Sequence, residues 1–223
     1  MKQKVLLFML LVTALTAKSA DYYWVGGTGN WTQATTHWAT TSGGSTFYSV
    51  VPTSADNVFF DANSFTAASQ TVTINSGTPA CNNMDWTGVT NTPTFIISNA
   101  FADGLNIYGS LTYVSGMTLT VTQPHYFRST SLGKTITLGG KQMRWVYFEG
   151  AGGGWTFQDA FNTNEGVILH YGSINTNNQA VTIYYFQSDG ANARSLDLGS
   201  STVTISYSSP PWAISGSNCT LNA

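Results

Sequence analysis

The sequence predicts an all-β fold and, within that class, a right-handed parallel β-helix: a solenoid of stacked coils with an N-terminal cap over its first coil. Three observations lead there. Short Thr-rich alternating runs recur without a helical pattern, an internal similarity returns after about 60 residues, and a tryptophan-rich opening region stands outside that similarity. An antiparallel β-sandwich is the alternative, because strands spaced about 8–12 residues apart read the same way in both folds.

In chain order, residues 1–20 read as a signal peptide. Lys2 and Lys4 supply a positive start, residues 5–15 an apolar stretch, and Ala17, Ser19 and Ala20 the small residues of a cleavage site. The stretch is too short to span a bilayer, so the mature chain is expected to be secreted or extracellular, at a cell surface, with no membrane span. Without Lys2, Lys4 and Lys18 the chain keeps five basic residues against ten acidic ones, a net charge of −5 with histidine neutral. That balance argues against nucleic acid as a partner, since displacing counterions takes clustered Lys and Arg.

Residues 21–65 are read as the cap. Their opening, WVGGTGNW at 24–31, resembles a phosphate-cradling loop only in part. Thr32 stands where the third glycine belongs, and no helical pattern follows. Trp24, Trp31 and Trp38, evenly spaced, instead anchor a cover over the first coil, whose open backbone and core would otherwise be exposed.

Residues 66–223 are read as the solenoid. Alternating runs at 71–74, 94–97, 118–122, 135–138, 181–183 and 202–205 are its strands, each bounded by Gly, Asn, Ser or Pro. The similarity pairs Tyr108-Gly109-Ser110-Leu111 with Tyr171-Gly172-Ser173-Ile174, and Tyr126-Phe127 with Tyr185-Phe186. It also pairs Ile136-Thr137-Leu138 with Leu196-Asp197-Leu198, and Trp155-Thr156-Phe157 with Trp212-Ala213-Ile214. Such a period divides into three coils of about 20 residues, stacked at about 4.8 Å. The chain is expected to stop partway through a repeat, leaving an edge that favours end-to-end self-association. Cys81 and Cys219 then fall several coils apart, farther than the roughly 7 Å between Cα atoms that a disulfide tolerates, and both are expected to be free.

Candidates for chemistry are sparse. The acids are scattered, with Glu149 and Asp159 the one pair that neighbouring segments could bring together, and scattered acids suit turns better than catalysis. His37, His125 and His170 lack metal-ligand spacing: His37 is expected to pack on Trp38, and His125 to sit in a turn after Pro124. Asp56, Asn57 and Asp61 are weak calcium candidates, with capping of a turn as the plainer reading. No other cofactor is implied. Thr-x-Thr patterns at 118–122, 135–137 and 202–204 raise ordered water on a flat face, against ordinary outward Thr on strands. Trp145, Tyr147, Trp155, Tyr184 and Tyr185 are candidates for stacking on sugar rings. Alternation puts Trp145 and Tyr147 on one side and Val146 and Phe148 on the other, so one pair is core and the other faces out.

The order Gly29-Asn30-Trp31, His37-Trp38, then Pro52 and Asp56-Asn57-Val58-Phe59-Phe60-Asp61, followed by Thr-rich strands, resembles the N-terminal region of large secreted β-helical repeat proteins common among Bacteroidota. The resemblance implies an adhesin-like or structural, non-catalytic cell-surface protein, with polysaccharide or a neighbouring surface protein as partner. A C-terminal sorting domain, which many of those proteins carry, is not expected within these 223 residues. The competing function is a carbohydrate-active β-helix enzyme, a polysaccharide lyase or hydrolase, which would need charged side chains converging on one face.

Overall fold

The computed structural model describes residues 19–75, 77–98, 104–207 and 210–223, which form an all-β parallel solenoid. The signal peptide read at 1–20 lies almost wholly outside the described residues. Among the described residues, no helix is long and apolar enough to cross a membrane.

The chain visits three faces in turn, A, B and C. It begins with β1 (Asp21–Trp24) on A and β2 (Gly29–Asn30) on B, then leaves the solenoid for α1 (Ala34–His37) and β3 (Trp38–Ala39). It returns with β4 (Asn57–Phe59), β5 (Thr71–Ile74) and β6 (Ala80–Cys81), one strand per face. The next two coils repeat the pattern: β7 (Met84–Asp85), β8 (Thr94–Ile97) and β9 (Leu105–Ile107), then β10 (Leu111–Thr112), β11 (Thr118–Val121) and β12 (His125–Phe127). A shorter coil has only β13 (Lys134–Thr137) on A and β14 (Val146–Phe148) on C. Three-faced coils resume with β15 (Gly154–Phe157), β16 (Phe161–Asn162) and β17 (Gly166–Leu169), then β18 (Gly172–Asn175), β19 (Val181–Ile183) and β20 (Tyr185–Ser188). Last come β21 (Arg194–Asp197), β22 (Val203–Ile205), β23 (Trp212–Ile214) and β24 (Cys219–Asn222).

Face A is one sheet running from β3 and β1 through β4, β7, β10, β13, β15, β18 and β21 to β24, and face C is one sheet from β6 to β23. Face B is split into β2-β5-β8-β11 and β16-β19-β22. Between the two parts, the coil of β13 and β14 contributes only a bridge from Met143 to Thr163. Every pairing between named strands is parallel except β1 with β3, which rules out the antiparallel sandwich. In-register partners on face A measure the coil. The step from Met84 to Leu111 is the longest of four, and those from Leu111 to Ile136, Ile136 to Phe157 and Trp155 to Ile174 shorten in turn. The B-face strand is missing from the Ile136-to-Phe157 coil yet present as β16 in the still shorter Trp155-to-Ile174 coil, so coil length alone does not remove it.

The internal similarity spans three coils. β10, with Leu111, lies three strands from β18, with Ile174, and β12, with Tyr126, lies three strands from β20, with Tyr185, although the matched residues are out of register: the line through Tyr126 runs to Tyr147, Ile168 and Gln187. β13, with Ile136, likewise lies three strands from β21, with Leu196. The fourth match fails: Trp155 belongs to face A and Trp212 to face C, so their likeness reflects composition rather than position.

The solenoid also starts earlier than residue 66. β1 and β2 already stack on β4 and β5, and the capping element is the excursion between β2 and β4. Its centre is aromatic: Trp38 meets Trp24 and Trp31 edge-on at 5.0 and 4.8 Å, with all three sealed from solvent. His37 stacks on Trp24 at 4.5 Å, rather than on Trp38, because its Nδ1 is held by the Val25 carbonyl at 2.6 Å. A Cβ on Gly29 would collide with the His37 ring, and Gly26 and Gly27 turn with φ of +83° and +75°. The glycines of WVGGTGNW therefore shape a turn that admits His37.

Inward positions stack from coil to coil, as in Phe60 on Trp86 at 3.8 Å and Phe127 on Phe148 at 5.2 Å. Burial of this column is the main stabilising term. His125 is part of it: it opens β12, fully buried, with Nε2 2.9 Å from the Tyr113 hydroxyl, and not in a turn. Cys81 is buried on face C, Cys219 lies on face A, and both thiols are free.

Candidate functional site

On β14, Val146 and Phe148 point inward and are fully buried, so Trp145 and Tyr147 are the outward pair, half-exposed on the outer side of face C. Parallel register sets their neighbours. Tyr147 stacks on Tyr126 of β12 at 4.9 Å, and Trp145 meets Tyr185 of β20 edge-on at 5.6 Å. Trp145 and Tyr185 are two coils apart, and they touch because Gly166 stands between them. A Cβ there would come within 2.5 Å of the Tyr185 ring. Tyr207 packs on Tyr184 at 4.9 Å and on Tyr185 at 6.0 Å. These rings border a groove of about 380 Å³ whose polar lining includes Glu165 and Gln187.

A row of ionisable groups runs beside the rings, one per coil, at the residue following Phe127, Phe148, Leu169 and Ser188. Arg128 pairs with Glu149 at 3.0 Å, and His170 lies 3.5 Å from Glu149 and 4.0 Å from Asp189. The Arg128 guanidinium also sits over the Tyr126 ring, 4.8 Å from its centroid. On the other side of the rings Arg144 pairs with Glu165 at 3.4 Å. Burial, then Glu149, pushes the Tyr147 phenol up. Burial, followed by Tyr147, Glu165 and Tyr207, does the same for Tyr185. Both hydroxyls therefore stay protonated at neutral pH and can donate a hydrogen bond.

The arrangement offers flat apolar rings with hydrogen-bonding groups at their margins. That combination suits a ligand with apolar C–H faces and hydroxyl edges. Trp155, also a candidate from sequence, is buried in the core. Sequence reasoning misses Tyr126, Gly166, Glu165, Gln187 and Tyr207. The signal that finds them is the coil period, since Arg128, Glu149, His170 and Asp189 recur at steps of about 20 residues.

The other candidates do not assemble. Asp56 accepts hydrogen bonds from the Thr53 N–H and hydroxyl and from the Ala20 N–H. Asn57 Oδ1 accepts from Asn82 and Asn83, while its amide donates to Asp21. Asp61 accepts from the Asn63 N–H and the Ser64 hydroxyl. These are turn and ladder contacts, and no cluster of three or more His, Cys, Asp or Glu suited to a metal occurs among the described residues. Asp159 is held by the N–H groups of Leu138 and Gly139 at 2.8 and 2.6 Å, at a different corner from Glu149, so that pair does not form. Thr118 and Thr120 lie on face B and Thr135 and Thr137 on face A, so the Thr-x-Thr runs make no single flat array. No protein-family model, curated protein or solved structure matches the chain.

Proposed function

We propose that this is a secreted, non-catalytic, adhesin-like protein that holds polysaccharide at a cell exterior on the outer side of face C. The observation that carries the reading is the groove bordered by Trp145, Tyr184, Tyr185 and Tyr207 with Glu165 and Gln187 in reach. Half-exposed rings held at fixed spacing by parallel strands are preorganised for stacking and lose little side-chain entropy on binding. The leader-like start of the sequence and its resemblance to secreted β-helical surface proteins point to the same setting.

A lyase or hydrolase is the second reading, and Glu149 and Asp189 flanking His170 on the same face are what favour it. One experiment separates the two. Residues 20–223 are run in native gels cast with neutral and acidic polysaccharides, with and without calcium, and the polymers are then examined by mass spectrometry. Retardation that is lost in a Trp145→Ala/Tyr185→Ala variant, with polymers intact, supports binding. Shortened or unsaturated oligosaccharides would replace it with the enzyme, and no retardation together with intact polymers would remove both.

A further inference from the structure

We propose that the free edge of β11, in the middle of face B, is a docking site for an extended peptide strand of another protein. The coil after β11 has no strand on face B and joins that face only through the Met143–Thr163 bridge to the far side, so no strand follows β11 on its outer edge. On the inner edge, the Thr118 N–H donates to the Pro93 carbonyl at 2.8 Å and the Thr122 N–H to the Ile97 carbonyl at 2.9 Å. Alternate residues of a strand direct their backbone groups to opposite edges, so the N–H and C=O of Leu119 and Val121 point into the gap. Among the described residues β11 pairs with β8 alone, and no hydrogen bond reaches those four groups.

The gap is a groove of about 370 Å³ lined by Met117, Thr118, Leu119, Val121, Lys141 and Gln142, among others. Leu119 and Val121 point inward yet are only half-buried, whereas their counterparts Phe95 and Ile97 one coil earlier are fully buried. The occupant this site fits is a short strand running parallel to β11, with small apolar side chains inward over Leu119 and Val121 and hydroxyls outward. It would continue the ladder β2-β5-β8-β11, which is parallel throughout. Lys141, whose Nζ donates to the Ser115 carbonyl at 3.1 Å, is the one charged side chain in the lining, so the strand carries a carboxylate at its start. Main-chain pairing at an exposed edge is a general mode of peptide recognition, and an uncharged Thr-Leu-Thr-Val edge lacks the bulges, prolines and charges that usually block it.

The test is amide hydrogen exchange by NMR on residues 20–223, with and without the capped peptide Asp-Thr-Val-Thr-Val-Thr. In the free protein the Leu119 and Val121 amides exchange faster than Thr120, and saturating peptide slows them by about tenfold or more while leaving Thr120 unchanged. Val121→Lys, which places a charge in the notch, weakens peptide binding about tenfold. Lys141→Gln, which leaves the fold untouched, weakens it about threefold, and the same peptide starting with Lys binds correspondingly less well. Unchanged exchange at Leu119 and Val121, or protection appearing at β22 to β24 instead, would overturn the proposal.

Discussion

The aromatic residues that close the first coil and those that pave the outer side of face C make the same kinds of ring contact, at 4.5–5.0 Å in the first group and 4.9–6.3 Å in the second. Trp24, Trp31 and Trp38 are sealed, whereas Trp145, Tyr147, Tyr184 and Tyr185 are half-exposed and Tyr207 is 38% exposed. Their polar atoms differ only in part, since the buried Trp31 indole N–H has no hydrogen-bond partner among the described residues. The Trp24 and Trp38 indole N–H groups donate to the Gly27 and Trp31 carbonyls, but among the described residues no hydrogen bond occupies the Trp145 N–H or the Tyr185 hydroxyl. Ring stacking alone thus does not separate packing from recognition. What separates them is whether the rest of the ring is already buried by the chain.

The largest effect expected from this contrast is on stability. Trp38→Ala removes the ring on which Trp24, Trp31, Tyr22 and Phe60 converge, and should cost about 3–5 kcal/mol in urea unfolding. Trp145→Ala should stay within about 1 kcal/mol of the parent yet abolish retention on polysaccharide. Equal destabilisation by the two would break the comparison.

Histidines repeat it on a titratable scale. His170 stands on the face between Glu149 and Asp189, while His125 is sealed inside and burial pushes its pKa down to about 3. Between pH 6.5 and about 3 the unfolded chain takes up a proton that the folded chain refuses. Stability contributed by His125 is therefore intact above pH 6.5 and falls as the pH drops towards 3, by a total on the order of 5 kcal/mol. Unfolding measured from about pH 7 to 4 should show this slope, and His125→Gln should flatten it. A slope unchanged in the variant would place its origin elsewhere.

The fold was legible because a solenoid repeats its evidence. Runs at 71–74 and 94–97 became β5 and β8, the run at 118–122 became β11 but for its last residue, and the internal similarity counted coils correctly in three of its four matches. The candidate site was legible in part. Alternation placed Trp145 and Tyr147 on one side of a strand, but strand alternation is symmetric and cannot say which side is out. Nor could it reveal that Gly166 lets rings two coils apart touch, since that depends on register across three strands. From sequence the cap extends over the whole N-terminal region because β1 and β2 are too short to declare their register, and only their pairing with β4 and β5 confines it to the excursion between β2 and β4.

Gly166 allows the finest test of how the two clusters differ. Gly166→Ala adds one methyl where the Tyr185 ring now rests, on a strand whose backbone any residue adopts, so the expected response is a tilt of that ring with only a small change in stability. If the groove works through ring placement, polysaccharide affinity should fall by about threefold to tenfold while the urea midpoint hardly moves, since about 1.4 kcal/mol of binding is a tenfold change. The corresponding change in the cap, Gly29→Ala, forces a methyl into the enclosed His37 ring and should register in stability instead, by about 1–3 kcal/mol. Two single methyls, one read in affinity and the other in unfolding, would then distinguish a surface built to receive a ligand from one that has already received its own chain.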